Sequence, residues 1–228
     1  TYSVRVYNDG NIAEAFRINA TAGNSRWAAA YTDVSTGADI TADVTGGGWT
    51  TPVVAVGGYR ALNVAVTPLA RAVGNSVLDV RVGAVAAGGG PSDVVLASTT
   101  CAPGYQPDGL IYSGTAYLGD GVYNTDGAGQ ESAATVRPQA AACYELVVQN
   151  DANTVDTLRV TGPAGGAGWS VLYYDVHGAG GTDITGPVTG GGWLTPALAP
   201  GTTQQVRVEV TADWTVPAGD ARGGLVTR

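Results

Sequence analysis

The chain has 228 residues, of which 44% are hydrophobic and 13% charged, and its net charge at pH 7 is −8. This length allows one large domain or two of ordinary size. The negative charge argues against binding to nucleic acid or to an anionic membrane surface. All 11 basic residues are arginine, and the absence of lysine excludes Schiff-base catalysis, a phosphate-binding P-loop and lysine–asparagine isopeptide cross-links.

Apolar and polar residues alternate along four stretches that predict β-strands, taken in chain order: 2–7, 16–20, 62–67 and 206–211. A two-residue period is typical of strands with one buried face. Clusters of Gly, Asn, Asp and Pro separate the stretches and indicate turns. No stretch shows a helical period, and 35 glycines disfavour helices. The sequence therefore predicts an all-β protein built as a sandwich.

Much of the sequence occurs twice. The segment YSVRVYNDGN from Tyr2 matches YELVVQNDAN from Tyr144, and DVTGGGWTTP from Asp43 matches PVTGGGWLTP from Pro187. Since the apolar positions are kept while the polar ones vary, two copies of one sandwich are predicted. Copy one covers residues 1–101 and copy two covers 144–228. The segment 102–143 connects them and is predicted to form the opening strands of copy two.

The repeated GGGW motif predicts a tight turn followed by a core tryptophan. Glycine can adopt positive φ and allows close approach of the chain, and tryptophan brings a large apolar surface. Four repeated tryptophans are therefore predicted as core anchors: Trp27, Trp49, Trp169 and Trp193. A sugar-stacking platform is the alternative role for them. Trp214 has no counterpart in copy one and is the better candidate for an exposed contact.

The pattern of copy two resembles a known group of modules. Its elements are YELVVQNDAN near the first turn, a Trp before YYD, GGW, and LAPGTTQQVRVEV. Together they resemble the tandem Ig-like repeats of large bacterial surface and secreted proteins, the CARDB-like group. The stretch YQPDGLI to GAGQES resembles the opening of such a module. The resemblance implies two tandem Ig-like antiparallel β-sandwiches, an extracellular or cell-surface location in a bacterium, and a structural role.

Two cysteines flank the connecting segment. Cys101 follows the last predicted strand of copy one, and Cys143 precedes the first predicted strand of copy two. For a repeat protein of this surface type, a disulfide between them is predicted, because such bridges persist outside the cytosol. A pair of buried thiols is the alternative.

A few residues were considered as chemical sites. Asp120, Asn124 and Asp126 lie among glycines, and oxygen donors in a tight loop suit calcium, although an Asx-rich turn explains the same pattern. His177 is the sole histidine, and without a nucleophile elbow it is predicted to be a loop residue. No other cofactor is indicated, so the protein is predicted not to be an enzyme.

The predicted function is that of a building unit of a surface fibre, stalk or layer. Two alternatives remain open at this stage. One is a carbohydrate- or surface-binding accessory module of a larger secreted enzyme, recognisable by exposed aromatic side chains in a line. The other is a hydrolase, which would need two facing carboxylates in one cleft. The predicted partners are copies of the same chain and, as a further candidate, surface glycans.

The two copies differ in a complementary way. Copy one continues into GAVAAGGGPSDVVLASTT, which predicts a closing strand that copy two lacks, while copy two is preceded by predicted opening strands that copy one lacks. An unpaired sheet edge tends to recruit a strand. Neighbouring chains could therefore assemble head to tail by strand addition, or a longer array could supply these strands from its own chain.

Overall fold

A computed structural model describes residues 1–224 and residue 226 of the chain. It divides into two compact units, Thr1–Pro103 and Gly104–Arg228. The protein is nearly all β and every strand pairing is antiparallel, which confirms the predicted fold class. In the described part of the chain, no helix is long and apolar enough to cross a membrane.

The first unit contains two sheets and one short helix. Its elements are β1 (Tyr2–Tyr7), β2 (Phe16–Ala20), β3 (Trp27–Asp33), α1 (Thr41–Thr45), β4 (Trp49–Thr50), β5 (Tyr59–Pro68), β6 (Val77–Ala86) and β7 (Ser92–Thr100). One sheet has the strand order β1-β5-β3 and the other has the order β4-β2-β6-β7.

The core of the first unit lies between these two sheets. Both contribute to it: Tyr31 and Leu62 come from the three-stranded sheet, and Ile18 and Val80 come from the four-stranded one, all of them at most 1% exposed. The hydroxyl of Tyr31 donates to the Thr21 carbonyl at 2.6 Å, so the polar end of this buried ring is satisfied. This face-to-face packing of antiparallel sheets is an Ig-like sandwich.

The second unit repeats this plan. Its elements are β8 (Pro107–Tyr112), β9 (Tyr117–Leu118), β10 (Ala141–Asn150), β11 (Arg159–Val160), β12 (Trp169–Tyr174), α2 (Thr185–Thr189), β13 (Trp193–Leu194) and β14 (Thr203–Ala212). One sheet has the order β12-β14-β10-β8-β9 and the other contains β11 and β13. The strands β8 and β9 of the segment 102–143 thus belong to the sheet of the second unit.

Equivalent strands take equivalent places in the two units. The order β3-β5-β1 corresponds to β12-β14-β10, and the β2–β4 pair corresponds to β11–β13. Tyr173 is fully buried like Tyr31, and its hydroxyl donates to the Pro163 carbonyl at 3.0 Å. The prediction of no helix was wrong, because α1 and α2 occur at matching positions. Each helix has five residues and one buried valine, too short to show a helical period.

The GGGW motif has the same structure in both units. Its first glycine ends the short helix, and its third glycine has positive φ, +96° at Gly48 and +97° at Gly192. A Cβ at Gly48 would lie 2.6 Å from the Arg17 side chain, and one at Gly192 would lie 2.5 Å from Arg159. The predicted positive φ and close approach are therefore confirmed at this glycine.

Candidate assembly surfaces and predicted site residues

The first unit has an open edge at β1. On one side β1 pairs with β5, and on the other side the described residues provide no strand. The equivalent strand β10 is paired on both sides, with β14 and with β8. In the β8 pairing, Leu146 lies opposite Ile111 and Val148 lies opposite Gly109. The first unit therefore leaves exposed a backbone edge that the second unit uses.

The strand β7 forms a second open edge of the first unit and carries an apolar stretch. Among the described strands it pairs with β6 alone, and Val94, Val95 and Leu96 are 55%, 42% and 54% exposed. The hydroxyl of Tyr2 in β1 donates to the Ser98 carbonyl in β7 at 2.6 Å. The open edges of β1 and β7 therefore lie next to each other. Three consecutive exposed apolar residues on an edge strand favour pairing with another chain segment.

The second unit is open in its other sheet. In the first unit β2 pairs with both β4 and β6. Its equivalent, β11, pairs with β13 alone among the residues that the structure describes. In the first unit, β6 also places Leu78, Val80 and Val82 in the core. No strand of the described second unit occupies that position.

A cavity of about 410 Å³ lies in the second unit. Part of its wall is formed by Leu110 and Ile111 of β8 and by Leu146 and Val148 of β10. Val226 also lines it and packs on the core as a partly buried side chain.

The predicted core tryptophans differ in burial. Trp27 is 3% exposed and belongs to the first core. Trp49 and Trp193 are partly buried and pack against the first and second cores, and Trp169 is partly buried at the start of β12. Trp214 is 77% exposed, so its predicted exposure is confirmed.

The predicted disulfide between Cys101 and Cys143 stays a prediction, although the structure does not join the two residues. Cys101 is buried in the core of the first unit, with its sulfur 3.6 Å from the Ala102 carbonyl oxygen, whereas Cys143 is exposed on β10. A disulfide requires the two Cβ atoms to lie about 3.5–4.5 Å apart, and a position next to a module boundary does not guarantee this.

We expect the two thiols to react at different rates. In the folded protein, a thiol reagent should modify Cys143 rapidly and Cys101 slowly, because burial blocks access to the sulfur. After denaturation without reductant, both should react. The measurement is a thiol titration, with Cys143→Ser as the control that removes the fast phase. Absence of reactive thiols in the denatured, unreduced protein would show instead that the predicted disulfide forms.

The predicted calcium residues take part in turns. The Asn124 Oδ1 atom accepts from the Gly127 amide at 2.9 Å, and the Asp126 Oδ1 atom accepts from the Ala128 amide at 3.1 Å. Across the described residues, no group of three or more His, Cys, Asp or Glu side chains is arranged to hold a metal ion. A calcium site that includes Asp120 stays a prediction.

His177 lies in the loop after β12, as predicted, and it has a structural contact there. Its Nε2 atom is 2.7 Å from the Leu146 carbonyl oxygen, which requires a proton on that nitrogen. The ring stacks on Tyr117 with centroids 6.3 Å apart, and the side chain is 11% exposed. These contacts attach the loop to β9 and β10.

Sequence reasoning did not identify two buried polar groups. Asp33 is 1% exposed and forms an ion pair with Arg60. Burial raises the pKa of Asp33, but hydrogen bonds from Arg60, from Thr36 and from the Ser35 amide outweigh this and lower it below 3.8. The second unit has no equivalent of this ion pair, because Gln204 stands at the position of Arg60 there.

The other buried group is the first asparagine of NDGN and QNDAN. The amide of Asn8 donates to the carbonyl oxygens of Ile12 and Val54, both at 2.8 Å. The equivalent Asn150 donates to the carbonyls of Thr154 and Leu198 at 2.9 and 2.7 Å. Since Asn8 and Asn150 are 2% and 0% exposed, these residues satisfy buried backbone carbonyls.

Comparison with solved structures found three matching chains, and one of them is a neighbour whose match covers the whole of this chain. No protein-family model matches the chain, and no curated protein matches it. The neighbour comes from the crystal structure of the CsuC–CsuE chaperone–tip adhesion subunit pre-assembly complex of archaic chaperone-usher Csu pili of Acinetobacter baumannii. It has 11% identity and a TM-score of 0.33, covering 100% of this chain and 91% of that chain. The fold assignment rests on the sheets themselves.

Proposed function

We propose that the protein is a non-enzymatic structural repeat protein, a building unit of an extracellular fibre, stalk or layer on a bacterial surface. The observation that carries this proposal is the pair of complementary openings. Among the residues that the structure describes, no strand pairs with the first unit's β1 where the second unit has β8, and none pairs with the second unit's β11 where the first unit has β6. The resemblance to CARDB-like surface repeats supports the same function.

The openings favour a linear arrangement of units. The edge at β1 and the edge at β11 are different surfaces, so joining one to the other creates a head-to-tail contact. Such a contact produces a filament unless its rotation closes a ring. Backbone pairing along a sheet edge supplies the binding energy, and alternate side chains supply the specificity. A neighbouring repeat of the same kind therefore fits both ends.

We expect the purified chain to form linear assemblies whose size rises with concentration. Light scattering after size-exclusion chromatography measures the mass, and negative-stain microscopy shows the shape. Val95→Lys should lower assembly because it places a charge on the β7 edge that borders the opening. Val53→Lys is the matched control, since Val53 is 69% exposed in a loop. A well-folded monomer at all concentrations would contradict assembly between copies.

A second candidate function is binding of a glycan, and two features favour it. Trp214 is 77% exposed, and a depression of about 580 Å³ on the second unit is lined by Tyr112, Glu145 and Arg207, among others. However, the Arg207 Nε atom already donates to Glu209 at 2.9 Å, and its guanidinium lies 4.2 Å above the Tyr174 ring. This arginine is therefore engaged within the chain, and the structural role remains the stronger proposal.

A further inference from the structure

We infer that the depression of about 580 Å³ on the second unit is a binding site for a neutral sugar unit of a glycan. The side chains that contact the sugar are those of Tyr112, Glu145 and Arg207, which line the depression. This inference rests on the second candidate function, the binding of a glycan, and it does not depend on assembly of the chain. All residues that line the depression belong to the second unit.

The guanidinium of Arg207 contributes a hydrogen-bond donor to this site. Its Nε atom donates to Glu209 at 2.9 Å and its Nη2 atom donates to the Gly180 carbonyl at 3.2 Å, which holds the group in place. The third nitrogen, Nη1, is buried and has no hydrogen-bond partner among the described residues. A buried donor is unfavourable until an acceptor reaches it. A ligand gains this bond by displacing the loop of Gly178 and Ala179, which also line the depression.

Glu145 contributes an acceptor close to that donor. The register of β10 and β14 places Glu145 opposite Arg207, and the Cβ atoms of opposite residues lie about 4.5–5.5 Å apart. The side chain of Glu145 is 39% exposed, and its Oε2 atom is 3.8 Å from His177 Nδ1, which is too far for a hydrogen bond. The carboxylate of Glu145 can therefore accept hydrogen bonds from a ligand in the depression.

This donor and this acceptor together define the chemistry of the ligand. A guanidinium only donates and a carboxylate only accepts. An anionic group could accept from Arg207 but could not donate to Glu145, and a cationic group could donate to Glu145 but could not accept from Arg207. A hydroxyl group does both, so neighbouring hydroxyls of one sugar ring fit the pair. The carboxylates of Glu145 and Glu209 outnumber the one guanidinium, and this charge repels an acidic sugar.

Tyr112 adds an aromatic wall to the depression. Its hydroxyl donates to the Gly114 carbonyl at 3.1 Å, and its ring contacts the ring of Tyr117 with centroids 5.2 Å apart. These contacts fix the ring, whose apolar face can pack against the C–H groups of a sugar. The volume of about 580 Å³ lies within the range of about 300–1,000 Å³ that is usual for ligand sites.

The first unit shows that the fold does not need these charged residues. The positions of Glu145 and Arg207 are occupied there by Ser3 and Asn63, which also lie opposite each other. The same pair of strands therefore forms without the two charges. Burial of a guanidinium with an unsatisfied nitrogen does not favour folding either, so a role in binding explains these residues better than a role in stability.

The test measures binding of oligosaccharides to the full chain by isothermal titration calorimetry. The neutral probes are maltohexaose, mannohexaose and chitohexaose, and the acidic probe is hexagalacturonic acid. We expect saturable binding of at least one neutral probe, with one site per chain, and no binding of the acidic probe. Glu145→Gln should weaken the binding at least tenfold, because hydrogen bonds to a charged acceptor are the stronger ones.

A second variant fills the depression and leaves the contacts of Arg207 and Glu145 in place. Ala134→Tyr should weaken sugar binding at least tenfold, because Ala134 lines the depression. The matched control is Ala133→Tyr, since Ala133 is equally exposed but does not line it. Both variants should keep the melting temperature of the native chain, and the control should keep its affinity.

The outcomes separate this inference from the structural role. No binding of any neutral probe, equal binding of the acidic probe, or undiminished binding by Ala134→Tyr would overturn the sugar site. Loss of binding in Trp214→Ala but not in Ala134→Tyr would also overturn it and place the glycan at Trp214. A chain that assembles but shows any of these results would keep the structural role and lose the site. A chain that binds the sugar but stays monomeric would keep the site and contradict assembly between copies.

Discussion

Replacing Trp27 with alanine is expected to lower the free energy of unfolding of the first unit by about 3–5 kcal/mol. Trp27 is 3% exposed and packs in the core between the two sheets. Removing the indole takes away its buried apolar area and leaves a cavity, because a sandwich core relaxes only partly around the space.

The measurement is urea unfolding followed by far-ultraviolet circular dichroism, which does not depend on the fluorescence of the altered residue. Trp214→Ala is the matched control, since its side chain is 77% exposed and its removal should change stability by less than about 0.5 kcal/mol. Trp27→Ala and Trp214→Ala proteins of equal stability would mean that Trp27 is not a core residue.

Replacing Asp33 with asparagine is expected to destabilise the first unit by about 3 kcal/mol at pH 7, the lower end for breaking a buried ion pair. The side chains of Asp33 and Arg60 are 2% and 15% exposed. Asparagine keeps the size of aspartate but removes its charge, so the Arg60 guanidinium loses its counter-ion in a mostly buried place. Within the part of the chain that the structure describes, the Nε atom of Arg60 is buried without a hydrogen-bond partner.

The same pair makes stability depend on pH. The pKa of Asp33 is lowered in the folded state relative to 3.8, so the folded chain favours the ionised carboxylate. The resulting stability is present above the unfolded pKa and is lost as the pH falls through the folded value. Acid unfolding of the native protein should therefore include a component below about pH 4 that Asp33→Asn lacks.

The second unit supplies the control for this experiment. Asp175 is the equivalent of Asp33, but Gln204 stands at the position of Arg60, and it donates to the backbone carbonyl of Asp175 at 2.7 Å. Asp175 is partly buried and accepts from the Thr182 amide at 2.6 Å. Asp175→Asn should cost less than Asp33→Asn, because no buried cation is left without its partner. Equal losses in the two variants would show that the ion pair is not the cause.

Several features of the fold were predictable because they depend on neighbouring residues. The alternation of apolar and polar residues in stretches such as 62–67 predicted strands with one buried face, since side chains two residues apart share a face. The repeat placed equivalent strands in equivalent sheets, and the GGGW motif predicted the positive φ of Gly48 and Gly192. The short helices α1 and α2 were not predictable, because five residues show no period.

Other features depend on contacts between residues far apart in the chain. Whether Cys101 and Cys143 form a disulfide depends on the distance between their Cβ atoms, on which sequence position has no direct bearing. The partial burial of Trp169 and the ion pair of Asp33 with Arg60 depend on side chains of other strands that fold against these residues.

By itself, the sequence determined the strand class, the twofold repeat and the turn at each GGGW, since local periodicity and glycine conformation encode them. Only the tertiary structure decided which sheet edges are paired and which are open. Pairing joins strands that are distant in sequence, such as β2 with β6 and β10 with β8. An edge strand and a central strand can have the same alternation, because alternation reports the buried face and not the number of hydrogen-bonded neighbours.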